Sequence, residues 1–183
     1  MRCAVDVAAL RAEPRDDAEQ VTQALRGEPL RVEGRLDGWV RVSTAYDYPG
    51  WVREEALEEG HGELVADAAG SPLEVARTYL GTRYLWGGMT AAGIDCSGLV
   101  HMAYRRVGRL VPRDADQQEA AAREVEEPAV GDLVTYGDPV DHIAFWVGEG
   151  RILHSTGRDG GIGVVEEPEP PALRERRHKI VRL

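Results

Sequence analysis

The chain is poor in what cross-linking, polyanion binding or bilayer insertion would require. Two cysteines, Cys3 and Cys96, stand in 183 residues. They supply no disulfide framework, so a cytoplasmic protein with free thiols is expected. Without paired cysteines the local zinc-binding spacings are missing as well. There is no basic run: 32 acidic residues outnumber 22 basic ones, for a net charge of -10. A surface of that sign repels phosphate backbones and anionic lipid, so neither nucleic acid nor a membrane is an expected partner. It does suit a substrate carrying a free amine. Long apolar runs are lacking too. The opening MRCAVDVAALRAEP is short and broken by Asp6, and reads as a first strand rather than a secretory signal or an anchor. No internal repeat, heptad or low-complexity tract occurs. What is present is an ordinary apolar content of 43%, enough at this length for one large domain or two small ones.

Residues 1–62 read as short strands. VTQAL, PLRVEGRL, GWVRVS and GWVREEAL alternate or are β-branched, and Gly27, Gly34, Asp37-Gly38 and Pro49-Gly50 punctuate them. About five strands in sixty residues suggest a small barrel, with Trp39 and Trp51 packed in its core. A polar linker, 63–72, follows. Residues 73–183 form the second domain, introduced by SPLEVARTYLG. There Ser71, Pro72 and Glu74 form a capping box, Leu73, Ala76 and Leu80 follow one helical face, and Gly81 stops the helix. The acidic VVEEPEPPALRERR near the end reads as a solvated surface loop.

GIDCSGLVHMAYRRVG poses the chemical question. Leu99, Val100, Ala103, Tyr104 and Val107 share a helical stripe that Gly108 ends, so Cys96 lies at a helix start with Asp95 or Cys96 near the cap. The unpaired N–H groups and dipole there favour a thiolate and should lower the thiol pKa. Ser97 and Gly98 leave room for a substrate to approach. Gly87-Gly88 and Gly93 bring backbone amides within reach as oxyanion donors. A buried filler cysteine is the plain alternative, and a nucleophile needs a base from elsewhere.

DHIAFWVGEGRILHST reads as a hairpin. A three-residue loop, Gly148 to Gly150, sets Val147 opposite Arg151 and Ala144 opposite His154. His142 and His154 then share a face, whereas a two-residue turn without a bulge would separate them. With Cys96 this makes a nucleophile, a base in His142, and an orienting group in His154 that accepts from the other ring nitrogen of His142. Zinc held by Cys96, His142 and His154, with Asp95 or Asp141, is the competing chemistry; no metal or other cofactor is the expectation. His61, His101 and His178 read as surface or helix-face residues without convergent partners.

DGWVRV and PGWVREEAL resemble the bacterial SH3-like (SH3b) domain. YLWGGMTAAGIDCSGLVHMAYRRVG, VPRDADQQ, GDLVTY, DHIAFWVG and ILHSTG, in that order, resemble the NlpC-type cell-wall peptidases. The resemblance implies an α+β fold: a small SH3-like barrel followed by a papain-like domain with the cysteine helix packed on an antiparallel sheet. It implies Cys96 as nucleophile, His142 as base and His154 as third member. An SH3b domain ahead of this unit resembles the γ-D-glutamyl-L-diamino acid endopeptidases of murein peptide recycling, in which SH3b closes one end of the cleft and a free N-terminal L-alanine is demanded. By the same resemblance Tyr84 contributes to the oxyanion site, and Trp86 forms a cleft wall. Ser97 and Asp114 contact the dipeptide, while Glu28 and Tyr46 hold the amine. Where the related pattern often has serine, Ala115 stands here. Each has a plainer reading: a core Trp86, an Asp114 that caps a helix at Ala115, a solvated Glu28, a loop Tyr46. Arg113 and Asp132 are expected to stabilise loops.

The resulting expectation is a monomeric cytoplasmic cysteine peptidase acting on murein-derived peptides and releasing L-Ala-γ-D-Glu. A hydrolase of intact peptidoglycan and a non-catalytic wall-peptide binding module are the alternatives. The sequence does not select among diaminopimelate, lysine and ornithine.

Overall fold

The turn residues of the first third close a succession of short antiparallel strands. A computed structural model describes the backbone of residues 1–183 and all side chains but that of Asp159. It divides into two units, Met1–Val65 and Ala66–Leu183. The first contains β1 (Arg2–Cys3), β2 (Val7–Arg11), β3 (Gln20–Leu25), β4 (Leu30–Leu36), β5 (Trp39–Thr44), β6 (Pro49–Arg53) and β7 (Leu57–Glu58). The expected single first strand is thus two, interrupted around Asp6. Strands β3-β2-β6-β5-β4 form one antiparallel sheet and β1 pairs with β7. Asp37 and Gly38 both take positive φ, 46° and 79°, which a tight two-residue hairpin turn requires, and Leu36 pairs with Trp39 across it. The alternating inward residues Leu10, Ala24, Leu30, Val40, Val42 and Val52 make the core. Trp39 is buried beneath the Arg53 guanidinium, 4.3 Å from its ring centre, whereas Trp51 is half-buried.

The second unit runs α1 (Pro72–Arg77), β8 (Met89–Thr90), β9 (Gly93–Ile94), α2 (Cys96–Arg106), α3 (Ala115–Ala121), β10 (Arg123–Glu124), β11 (Leu133–Tyr136), β12 (His142–Gly148), β13 (Arg151–Thr156), β14 (Gly163–Pro168), α4 (Pro171–Arg174) and β15 (Arg177–Arg182). Its antiparallel sheet has the order β10-β15-β11-β12-β13-β14. Tyr104 of α2 stacks on Phe145 of β12, with ring centres 6.3 Å apart. The sheet's other face carries Val134, Tyr136, Ala144 and Ile152 under Trp146, Leu173 and Ile180. No helix among the described residues is long and apolar enough to cross a membrane.

Two local expectations fail for identifiable reasons. The capping box forms on Ser71 and Glu74, but α1 ends at Arg77. The Thr78 hydroxyl bonds the Val75 carbonyl, and tighter i→i+3 bonds follow. This rotates Leu80 out to solvent and Tyr79 inward. The acidic segment is not a solvated loop: it supplies edge strand β14, helix α4 and Glu169. That last carboxylate is buried and hydrogen-bonded to the Tyr136 hydroxyl and the Arg177 guanidinium.

Candidate active site

Helix α2 begins where it does because Asp95 caps it. One Asp95 oxygen accepts the Gly98 N–H at 2.6 Å and the other the Gly87 N–H at 2.7 Å. The Arg113 guanidinium, 1% exposed, grips both oxygens at 3.0 and 2.8 Å and donates to the Ser97 hydroxyl at 2.9 Å. Gln118 donates to the Ser97 carbonyl at 2.9 Å. A Cβ on Gly98 would lie 2.3 Å from the Gly88 carbonyl oxygen, so only glycine lets the helix start approach that loop. Arg113, expected to stabilise a loop, braces the first turn that presents Cys96.

Cys96 is buried. Its sulfur lies within hydrogen-bonding reach of the Ile143 N–H, directly after His142, and of the Ser97 N–H. Burial pushes the thiol up to about 12, and the Asp95 charge adds to the rise, while those two N–H groups and Arg113 oppose it. The expectation of a lowered pKa at the helix start is therefore reversed: the resting sulfur is a thiol, because desolvation outweighs the terminal dipole. His142 is pushed down to about 3 by burial, then by His154 and Arg176. His142 is thus a neutral imidazole, on the residue just before the amide that reaches the sulfur.

The hairpin brings the two histidines together, though not by the expected loop. Glu149 and Gly150, with φ of 52° and 70°, form a two-residue turn. A bulge between Trp146 and Gly148 sets Gly148, not Val147, opposite Arg151. The bulge restores the parity that the short turn alone would invert, so Phe145 still pairs with Leu153. His142 Nε2 lies 2.8 Å from His154 Nδ1, and His154 Nε2 lies 3.0 Å from Glu167 Oε1. Burial lowers the His154 pKa, and Glu167 opposes that shift. These ring nitrogens are engaged with one another and with Glu167. Among the described residues no group of three or more His, Cys, Asp or Glu side chains is arranged to hold a metal.

Tyr84 packs its ring against Gly157, and its backbone bridges Ile94. Burial, then the Cys96 and Asp95 charges, raise its phenol pKa, so the hydroxyl keeps its proton and remains a donor. The Gly87 and Gly88 amides are not available as oxyanion donors: they bond Asp95 and the Leu85 carbonyl. Trp86 is 59% exposed in the turn ahead of Cys96, which removes the core-filler reading. Ser97 is buried within the Arg113 network. Asp114 occupies the N-cap position of α3 without a capping bond to the helix, and Gln117 reaches its carboxylate at 3.5 Å.

In the first unit Glu28 is 2% exposed, so it is no solvated turn charge. The Tyr46 hydroxyl lies 3.2 Å from the Thr22 hydroxyl. Two histidine expectations also change. His101 is fully buried and pushed down to about 3 by that burial, and His178 pairs with Glu119 at 2.9 Å. Sequence reasoning missed Glu167 by reading its segment as a loop. The signal was there in GVVEEP, where Val165 and Glu167 share one face of an alternating strand, and β14 sets Val165 opposite His154.

The family model described as NlpC/P60 matches residues 81–181, and the model described as the bacterial dipeptidyl-peptidase Sh3 domain matches residues 10–57. A Bacillus subtilis protein named gamma-D-glutamyl-L-lysine dipeptidyl-peptidase is 30% identical over 136 residues, covering 69% of this chain and 44% of that protein. This chain thus spans less than half the length of that relative. The structure of the peptidoglycan hydrolase RipB from Mycobacterium tuberculosis superposes with a TM-score of 0.53 at 32% identity, over 60% of this chain and 61% of that one. An NlpC/P60 family protein from Bacillus cereus matches in fold over 99% of this chain and 62% of its own, with a TM-score of 0.58 and 23% identity. The architecture is accordingly α+β, an SH3-like unit followed by a papain-like one.

Proposed function

The chain belongs to the NlpC/P60 family of cysteine peptidases, and from that premise we propose that it hydrolyses the γ-D-glutamyl-L-diamino acid bond of short murein peptides with a free N-terminal L-alanine. One observation carries the chemistry: the 2.8 Å His142–His154 contact at the strand whose next amide, that of Ile143, reaches the Cys96 sulfur. The bond is suggested by the name of the Bacillus subtilis relative, and the amine preference by the acidic surface. His142 takes the thiol proton as the sulfur attacks the γ-carbonyl carbon of D-glutamate, and Tyr84 donates to the oxyanion. The tetrahedral adduct collapses as His142 passes the proton to the departing amine, leaving a thioester. Water, deprotonated by His142, then releases L-Ala-γ-D-Glu and restores the thiol. Trp86 and Asp114 are the side chains of this unit proposed to meet the dipeptide, and recycling of wall fragments in the cytoplasm is the proposed setting.

A second reading, hydrolysis of intact peptidoglycan, draws on the 32% identity to RipB. Mass spectrometry of products from L-Ala-γ-D-Glu-L-Lys, its N-acetylated form and purified sacculi separates the two. We expect the free tripeptide to be cut at least about tenfold faster than the blocked one, the loss of one charge-assisted contact. Equal rates, or cleavage of sacculi alone, overturn the amine preference. Cys96→Ala should lower turnover by about 10⁴-fold or more with the fold intact, and substantial hydrolysis by that variant would refute the nucleophile.

A further inference from the structure

His154 is bonded through both ring nitrogens, and its outer partner has no role in the chemistry above. Glu167 Oε1 is 3.0 Å from His154 Nε2, and the Arg158 Nη2 holds both Glu167 oxygens at 3.0 and 3.1 Å. A carboxylate only accepts, so His154 Nε2 must carry the proton. A neutral His154 then has its lone pair on Nδ1, which faces His142 Nε2 at 2.8 Å and requires that nitrogen to donate. His142 is left with its own lone pair on Nδ1, the tautomer a base needs.

We propose that Glu167 is a positioning residue, setting through His154 the tautomer in which His142 receives the Cys96 proton, and stabilising the imidazolium that results. The inference rests on the peptidase reading. Burial tends to raise the Glu167 carboxyl, but Arg158 and His154 outweigh it and hold the pKa below the usual range, so the acceptor stays ionised. The groups around the pair come from several elements. Glu167 of β14, His142 of β12 and Arg158, from the turn after β13, face His154. His154, Arg176 from the turn before β15 and the Tyr136 ring of β11, 5.6 Å away, face His142. Cys96 of α2 reaches the amide beside His142.

Without Glu167, His154 is free to carry its proton on Nδ1. It would then donate to His142 Nε2 and move the His142 proton to Nδ1, blocking the base. The test compares Glu167→Ala with Glu167→Gln, whose amide oxygen still accepts but carries no charge. Glu167→Ala should lower kcat about 10- to 100-fold with KM little changed. Glu167→Gln should recover kcat to within about threefold of the parent. In both, loss of the carboxylate withdraws the charge that favours imidazolium, so the acid limb of kcat/KM moves to lower pH. The rate of Cys96 alkylation by iodoacetamide, read by peptide mapping, should follow the same order without any substrate. A folded Glu167→Ala protein with parental kcat, a Glu167→Gln protein as slow as the alanine variant, or an unmoved acid limb in Glu167→Gln overturns the proposal. A parent that alkylates readily but cleaves no murein peptide removes the substrate reading instead, and the alkylation rates still decide on Glu167.

Discussion

In the first unit Arg2 meets Glu58 and Arg26 meets Asp6 with every one of these side chains more than 40% exposed, whereas in the second Arg113 meets Asp95 at 1% and 8% exposure. Apart from Glu28, the unit-one residues buried most deeply are apolar or small and polar, such as Leu10, Val40, Thr22 and Ser43. The second unit encloses His101, His154, Arg113, Asp132 and Glu169. Enclosing charge is expensive unless every group is answered, and the Arg113–Asp95–Ser97 network answers it where α2 begins. The contrast separates a unit held by alternation and surface pairs from one that encloses charged and polar groups, among them the Arg113–Asp95–Ser97 network at the start of α2.

The largest effect should come from breaking the buried pair. Arg113→Ala leaves the Asp95 carboxylate enclosed and should destabilise the second unit by about 3–5 kcal/mol. Arg2→Ala, at a solvated pair, should cost less than about 1 kcal/mol. Urea unfolding of both variants checks this, and similar losses would erase the distinction. A somewhat smaller effect should come from acid. His142 and His101 are held near 3 when folded, against about 6.5 when unfolded. The unfolded chain therefore binds more protons below pH 6.5. The stability these groups contribute is complete above that value and is lost progressively as pH falls toward the folded pKa. For the two together the loss is about 3 kcal/mol between pH 6.5 and 5. Hydrogen exchange at pH 7 and 5 should show protection falling in residues 66–183 well before 1–65, where no histidine is buried; parallel loss in both would contradict it. The smallest effect is steric. Gly98→Ala should cost about 1–3 kcal/mol and impair turnover by displacing the α2 start. Gly34→Ala, which meets nothing within 4 Å, should change stability by less than about 0.5 kcal/mol. Thermal unfolding together with activity measures both.

How much of this was legible beforehand varies with how local the cause is. The Ser71–Glu74 capping box, the α2 stripe ending at Gly108 and the Asp37-Gly38 turn are set by residues within a few positions of one another, and sequence spacing suffices for them. The pairing of the histidines depended on loop parity. The sequence posed that choice correctly but had no means of announcing the bulge near Val147 that resolved it.

Determined by sequence alone, then, were the two-part organisation of motifs, the helix that begins at Cys96 and the presence of two imidazoles on one hairpin, because hydrophobic period, caps and turn residues act over short distances. Only the tertiary structure decided the protonation of the sulfur and the company the histidines keep. Burial, which raised the thiol instead of lowering it, is a property of everything packed around Cys96. Arg113 reaches Asp95 across eighteen residues and Glu167 reaches His154 across thirteen, because neighbouring elements of the folded chain set side chains together that no local pattern connects.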